Sequence, residues 1–470
     1  MLGAWMRSYC HVAPYFFLGI FCLILAGCGH IKSYVADVPE KEQITQDFDS
    51  RGASLNSLVG FVSESGYGRS WPPEKWGLEE LMYVGLYFSP RLDVARKNRE
   101  LSEISAQLSA LGMRQKVQVA TEYHSREVNG QEPWGVGFAV DLPFFSKKKR
   151  EALSQKSLFY LDGAALELSQ EIWLLHSSLR NNLFRLAAND AKRKLYVQKV
   201  KLAEELDELI EARFSHGFAG REALDKRRFE LGLFRELELN LEIERLEIVY
   251  SMAGLIGMSA TDFQKLNLET PDFDQTYAME ALDFKSAALH NRIDLQKSLV
   301  DFGIADVELK LALIKQYPQI SIVPGYFWDQ GDNIWNFALG LVLPNHADAF
   351  VLQAEASRSL KHLKVKEKQI NILSEVDQNH ATVLSTQESF QQSRLNLRRA
   401  HHMFAGSERG FSAGDISRVE LYDARLNYLQ IAERFIDNKF TYFSAFAELE
   451  DSCQTPLVFK YRVPMDINKQ

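Results

Sequence analysis

Three groups of side chains in this chain of 470 residues have types and spacing suited to chemistry. The first is a cysteine. An apolar run from Tyr15 to Leu25, preceded by Arg7, leads into Leu25-Ala26-Gly27-Cys28. Small residues at Ala26 and Gly27 let a peptidase close on the backbone, and the Cys28 thiol is then the atom to which an acyl lipid is attached. The run is short for a bilayer span of ~20 residues, so the expectation is a lipoprotein signal peptide over 1–27 and a mature chain lipidated at Cys28. An uncleaved anchor or a plain secretory signal is the alternative. The second group, Gly410-Phe411-Ser412-Ala413-Gly414, matches a nucleophile elbow, but that elbow follows a strand and here a helical pattern precedes it. The third, His401-His402-Met403, offers soft-metal donors, yet adjacent helical positions point about 100° apart and do not converge on one ion. There is no phosphate-cradling glycine loop, no zinc-protease signature and no C-x-x-C. The expectation is no enzyme, no cofactor and no metal site.

Composition agrees with export. Cys10 and Cys22 leave with the signal, so Cys453 stands alone as a small packed apolar side chain, and no disulfide framework is possible within the chain. A net charge of −8 argues against a nucleic-acid surface.

The elements that must carry these groups occur twice. Arg91-Leu92-Asp93 recurs as Arg292-Ile293-Asp294, an offset of 292 − 91 = 201, which also pairs Trp134 with Trp335 and Leu142-Pro143 with Leu343-Pro344. Register kept across helix, strand and turn implies two copies of one supersecondary unit folded against each other. The chain divides accordingly into a signal (1–27), a polar, turn-rich linker (28–76), a first repeat (77–268), a second repeat (269–453) and a tail (454–470). The first repeat opens with a helical pattern from Leu78 to about Leu111, ended by Gly112. Strand-like segments come next at 115–127 and 134–145 around a turn at Asn129-Gly130, and again at 319–328 and 334–343 in the second copy. Each is close to the ~9 to 11 residues that a tilted strand needs to cross a bilayer. Tyr123, Trp134, Tyr326, Trp328 and Trp335 lie near the turn-side ends, as an interfacial aromatic girdle requires. Four strands cannot close a barrel, so spanning strands demand an oligomer; two soluble hairpins are the alternative.

Lys147-Lys148-Lys149-Arg150 then opens a proline-free helical stretch lasting to about Phe214. Leu161, Ala165, Leu168, Ile172, Leu175 and Leu179 alternate spacings of four and three, the seam of a coiled coil. At 1.5 Å per residue such a helix reaches roughly 100 Å. The basic cluster reads either as a solvated helix start or as a contact with anionic headgroups. The stretch breaks at 215–220 and returns from Arg221 to about Met252; the second copy breaks at 410–414. Its return carries Arg418, Leu421 and Arg425, matching Arg221, Leu224 and Arg228 at an offset of 425 − 228 = 197. The four-residue difference from 201 shortens one outgoing arm by about a turn, and both hairpin tips project to one end.

Taken together, these residues resemble the TolC-type outer-membrane efflux proteins over nearly all of the mature chain. The resemblance rests on the duplication and on Val140-Asp141-Leu142-Pro143-Phe144-Phe145 at the strand-to-helix turn. It rests also on Arg213-Phe214 with Gly217 at one tip, and on Gly414-Asp415-Ile416-Ser417 with Leu421-Tyr422-Asp423-Ala424-Arg425 at the other. It implies an α+β fold: a homotrimer whose three four-stranded contributions close one transmembrane β-barrel, continued into the periplasm by an α-helical coiled-coil barrel. It implies a passive, lipid-anchored outer-membrane duct of a tripartite efflux or secretion system, driven by an inner-membrane pump. The tips, Gly217, Phe218, Ala219, Arg221, Gly414, Asp415, Ile416 and Ser417, would contact a periplasmic adaptor. Glu420 and Asp423 would form the periplasmic gate, where six carboxylates around one axis repel and hold a cation; an ordinary pair of helix-start carboxylates, favoured by the dipole, is the alternative. Phe411 and Ala223 stand where the family often has a tyrosine and a carboxylate, so the latch of the closed state is missing or rebuilt. The competing class is a lipid-anchored structural or adhesive coiled-coil protein.

Overall fold

The computed structural model of the chain describes residues 40–52, 54–110, 116–123, 134–144, 146–269, 283–329 and 332–456. Cys28, the Asn129-Gly130 turn and the tail beyond 456 lie outside the described residues. The chain forms two compact units, 1–50 and 51–470. The described part of the first is helix α1 (Lys41–Ser50), which buries none of its residues.

The second unit runs α2 (Asn56–Glu64), α3 (Leu78–Phe88), α4 (Pro90–Ala110), β1 (Lys116–Tyr123), β2 (Trp134–Pro143), α5 (Lys147–Ser215), α6 (Arg221–Ile256) and α7 (Ala260–Phe263). It continues as α8 (Phe284–Asn291), α9 (Ile293–Ile314), β3 (Gln319–Asp329), β4 (Asp332–Val342), α10 (Ala347–Ala413) and α11 (Arg418–Cys453). The order of helix pair, strand pair and long helical hairpin occurs twice. A bridge between Trp76 and Leu268, with Trp76 N donating to the Asn267 carbonyl at 2.9 Å and Glu269 N donating to the Trp76 carbonyl at 2.9 Å, ties the start of the first repeat to its end.

Two expectations change. The stretch read as a linker, 28–76, contains α1 and α2, and Leu58, Val62, Tyr67 and Trp76 are buried in the first core. The apolar period of α2 is only Leu58, Phe61 and Val62, a single stripe of helical spacing that the Gly, Ser and Pro residues after it obscure. The continuous helix from 78 to about 111 is in fact two. Ser89 is extended, ψ 119, because a residue before proline is barred from the α region, and Pro90 opens α4 where its missing N–H costs nothing. The second copy breaks at Arg292, ψ 114, without a proline. There the guanidinium is held by Asp294 at 2.9 Å, Glu375 at 3.1 Å and the Ser452 carbonyl at 3.2 Å.

The outgoing arms α5 and α10 are 69 and 67 residues long. Leu168, Leu175 and Leu179 of the α5 seam are buried and Leu161, Ala165 and Ile172 half-buried. α5 packs on α6 but also on α9 and α11, so the two copies meet along it. An ion-pair network crosses that seam. The fully buried Arg180 guanidinium reaches Glu450 and Asp451, each at 2.6 Å, and the Ala447 carbonyl at 3.2 Å. Trp173 and Ser177 also donate to Asp451, at 3.1 and 2.6 Å. The four strands form one antiparallel sheet in the order β1-β2-β3-β4, joined between copies by β2 and β3.

Candidate functional site

Successive strand residues point to opposite faces, so the pairing register sorts the sheet into two surfaces. One carries Val117, Val119 and Tyr123 of β1, then Trp134, Val136, Phe138, Val140 and Leu142 of β2. Continuing across, it carries Ile320, Ile322, Pro324, Tyr326 and Trp328 of β3 and Trp335, Phe337, Leu339 and Leu341 of β4. Thr121 and, opposite Trp328, Asn333 are its polar exceptions. Phe337 and Leu339 are 74% and 69% exposed, and an open apolar face of this size must be covered by lipid or by protein. The other face is mixed: Gln118, Glu122, Gly135, Gly137, Ala139, Asp141, Ser321, Gly325, Asn336 and Gly340 stand there beside the apolar Val323, Phe327, Ile334 and Val342. Phe327 lies across Gly137 there, and a Cβ on Gly137 would overlap its ring. The predicted aromatic girdle sits on the apolar face toward the turn-side end, with ring centroids 4.9 Å apart for Tyr123–Trp134 and 5.0 Å for Tyr326–Trp335. β1 and β4 are edges with no further strand beside them among the described residues.

At the other extreme, both outgoing arms end in the same left-handed glycine stop. Gly217 has φ 77 and Gly414 φ 84. Phe218 N donates to the Arg213 carbonyl at 2.7 Å and Asp415 N to the Gly410 carbonyl at 2.8 Å. Phe218 is 75% exposed; Arg221, Asp415 and Ser417 are exposed, while Ala219 and Ile416 are half-buried. Beneath the tips one apolar cluster joins Leu202, Leu206, Ile210 and Leu224 of the first hairpin to Tyr422, Leu426 and Leu429 of the second.

The two predicted gate carboxylates have different local tasks. Glu420 closes a capping box: its Oε2 accepts from Ser417 N at 2.6 Å while Ser417 Oγ accepts from Glu420 N at 3.2 Å. These bonds, that from the Ser417 backbone first, hold its carboxyl below the usual value. Asp423 instead pairs across the hairpins with Arg227 at 2.9 Å, and Arg227 also holds Glu230 at 2.9 Å. Beside it Tyr422 Oη donates to Glu205 at 3.1 Å and accepts from Arg418 Nε at 3.2 Å. Phe411 and Ala223 take no part in these links. Sequence reasoning missed Arg227 and Glu205, because no periodicity relates them to residues about 200 positions away.

The enzyme-like motifs have no enzyme geometry. Ser412 lies inside α10 and its hydroxyl donates to the Glu408 carbonyl at 2.8 Å. The His401 and His402 rings stand 6.2 Å apart at 77°, and no group of three metal-binding side chains occurs among the described residues. An open cleft of about 940 Å³ between α4, α5 and α9 is crossed by internal pairs, Lys297–Glu167 at 2.5 Å and Arg292–Asp294 at 2.9 Å. No described helix is long and apolar enough to cross a membrane.

No protein-family model matches the sequence, and no curated protein does. Solved structures do match the fold. The outer membrane protein VceC of Vibrio cholerae is 15% identical with a TM-score of 0.67, covering 81% of this chain and 96% of its own. The Campylobacter jejuni CmeC outer membrane channel is 13% identical with a TM-score of 0.69, covering 93% and 97%. The open state of the Neisseria gonorrhoeae MtrE outer membrane channel is 14% identical with a TM-score of 0.63, covering 81% and 89%. A four-stranded antiparallel sheet, apolar on one face and open at both edges, carried by two long helical hairpins, is thus the fold of the TolC-type outer-membrane channels.

Proposed function

We propose that this chain is the outer-membrane channel of a tripartite efflux or secretion system, a passive duct without catalytic activity. The observation that carries the reading is the sheet: one face almost wholly apolar, the other richer in small and polar side chains, and two edges with no further strand beside them among the described residues. Three copies joined β4 to β1 close a twelve-stranded barrel whose apolar face meets lipid and whose inner face meets water. Leu239, Ile243, Leu246 and Tyr250 of α6 are 65, 56, 41 and 56% exposed at spacings of four and three, a seam suited to a second copy. The hairpins then continue the barrel into the periplasm, where the tips dock an adaptor, Glu420 and Asp423 narrow the tunnel, and an inner-membrane pump supplies the energy. Acylated Cys28 anchors each copy. Single-channel recording of the purified protein in a planar bilayer tests this. A steady pore blocked by divalent cations from the tip side is expected; well-folded protein that never conducts overturns the duct in favour of an anchored coiled-coil protein.

A further inference from the structure

The apolar face of the sheet ends abruptly on the helix side, where it gives way to a band of cations. Phe144 N still donates to the Ile320 carbonyl at 2.9 Å, and three residues later α5 begins with Lys147-Lys148-Lys149-Arg150. Lys315 and the 72% exposed Tyr317 stand just before β3, and Lys116 opens β1 opposite Asp141. The turn-side end carries the opposite charge, with Glu122, Asp329 and Asp332.

The fold does not require these cations. In the second copy the structurally equivalent helix start, at the same offset of 348 − 147 = 201, reads Asp348-Ala349-Phe350-Val351. An acidic residue in a first turn suits the helix dipole, whereas four cations there oppose it, and the first turn of α5 contains no acidic residue. Lys147 is 85% exposed and, among the described residues, pairs with Glu151 at 3.8 Å; Lys148 and Arg150 are exposed. Burial, and then the neighbouring Lys315, push the Lys149 ammonium below its ordinary value. The carboxylate nearest the α10 start, Asp348, already accepts from Gln316 at 3.2 Å. Cations gathered against both a helix dipole and one another are stabilised by an anionic surface.

We infer that Lys148, Lys149, Arg150 and Lys315, with Tyr317 beside them, form a binding surface for anionic phospholipid headgroups at the periplasmic rim of the membrane sheet. The inference rests on the proposed membrane role of the sheet, which puts the end of its apolar face at the headgroup level. Each cation near an anionic bilayer surface strengthens association roughly fivefold, and salt weakens it.

The test is mass spectrometry of the intact detergent-solubilised protein titrated with phosphatidylglycerol or phosphatidylethanolamine, with conductance recorded in parallel. Wild type should retain phosphatidylglycerol preferentially. K148Q/R150Q should reduce that preference by an order of magnitude or more while keeping conductance, and the matched control K364Q/K366Q on α10 should leave both unchanged. Equal retention of the two lipids by wild type, or equal loss in the control, overturns the headgroup surface while conductance keeps the channel reading intact. Loss of conductance in wild type itself would bring down the channel reading and this inference with it.

Discussion

Arg227 Nη2 and Asp423 Oδ1 lie 2.9 Å apart and bind the return helix of one hairpin to that of the other. Arg227 is 16% and Asp423 50% exposed at the side chain, so the pair is neither sealed nor fully screened. In the proposed gate the same carboxylate faces the tunnel axis, and the pair would then link hairpin spacing to the charge of the constriction.

Asp423 is half exposed, so solvent screens the pair in part and its contribution to folding stays near the upper end of the surface-pair range, about 1 kcal/mol; Arg227→Ala should lower stability only modestly. Resting conductance should rise as the hairpins part, and divalent block should deepen because Asp423 is released. The swapped pair R227D/D423R should return conductance toward wild type. Deeper block without higher conductance would separate the charge role from the spacing role.

Replacing Glu420 and Asp423 together with alanine should raise resting conductance and weaken divalent block. Glu420→Ala also removes half of a capping box and so loosens the start of α11. Glu420→Gln keeps the hydrogen bond and removes the charge, so it isolates the electrostatic effect. Unchanged conductance and block in both variants would remove the gate assignment.

Arg180 is wholly buried between Glu450 and Asp451. Truncation to alanine leaves buried carboxylate uncompensated, at a cost of roughly 3–5 kcal/mol. R180A should therefore melt well below wild type in a circular-dichroism scan, whereas Lys97→Ala, on an exposed pair, should not shift measurably.

His176 is buried beside Trp173 and Arg180. Burial, and then the Arg180 charge, push its pKa down from 6.5 to about 3. The unfolded chain gains a proton below pH ~6.5 that the folded chain refuses until about 3, so this contribution is full above the unfolded value and is lost as pH falls through that window. The slope approaches about 1.4 kcal/mol per pH unit. His176→Gln should flatten the dependence of melting temperature on pH between these values; an unaltered slope would assign it to other groups.

Gly257 ends α6 at φ 72, and a Cβ there would overlap the Phe88 carbonyl. Gly414 is equally left-handed but open on all sides. G414A should cost about 1 kcal/mol for conformation alone, and G257A distinctly more. Equal melting temperatures would mean that the Phe88 junction yields freely.

The duplication, the four strands and both hairpins are legible because each writes a period or an offset into the chain. The two-faced character of the sheet is partly so: β4 alternates clearly from Trp335 to Leu341, but which residues of β2 share its apolar face depends on the β2–β3 register, a contact nearly two hundred residues long in sequence. The packing of α2 and the break at Ser89 are obscured by turn-forming residues whose meaning is set by tertiary neighbours. Of the site, the glycine stops at Gly217 and Gly414 are readable from local chemistry. The partners of Asp423 and Tyr422 are not, since an ion pair between hairpins leaves no local trace in either strand of sequence.

If the proposed barrel is built from three copies, a sheet with two open edges among the described residues also ties output to dosage. If β4 of one copy is completed only by β1 of the next, a single chain contributes nothing until two more reach it. At low expression the number of finished pores then climbs as the cube of the chain count, so a modest change in transcription becomes a steep change in export, and an edge-defective copy expressed alongside the normal one poisons assemblies out of proportion to its share.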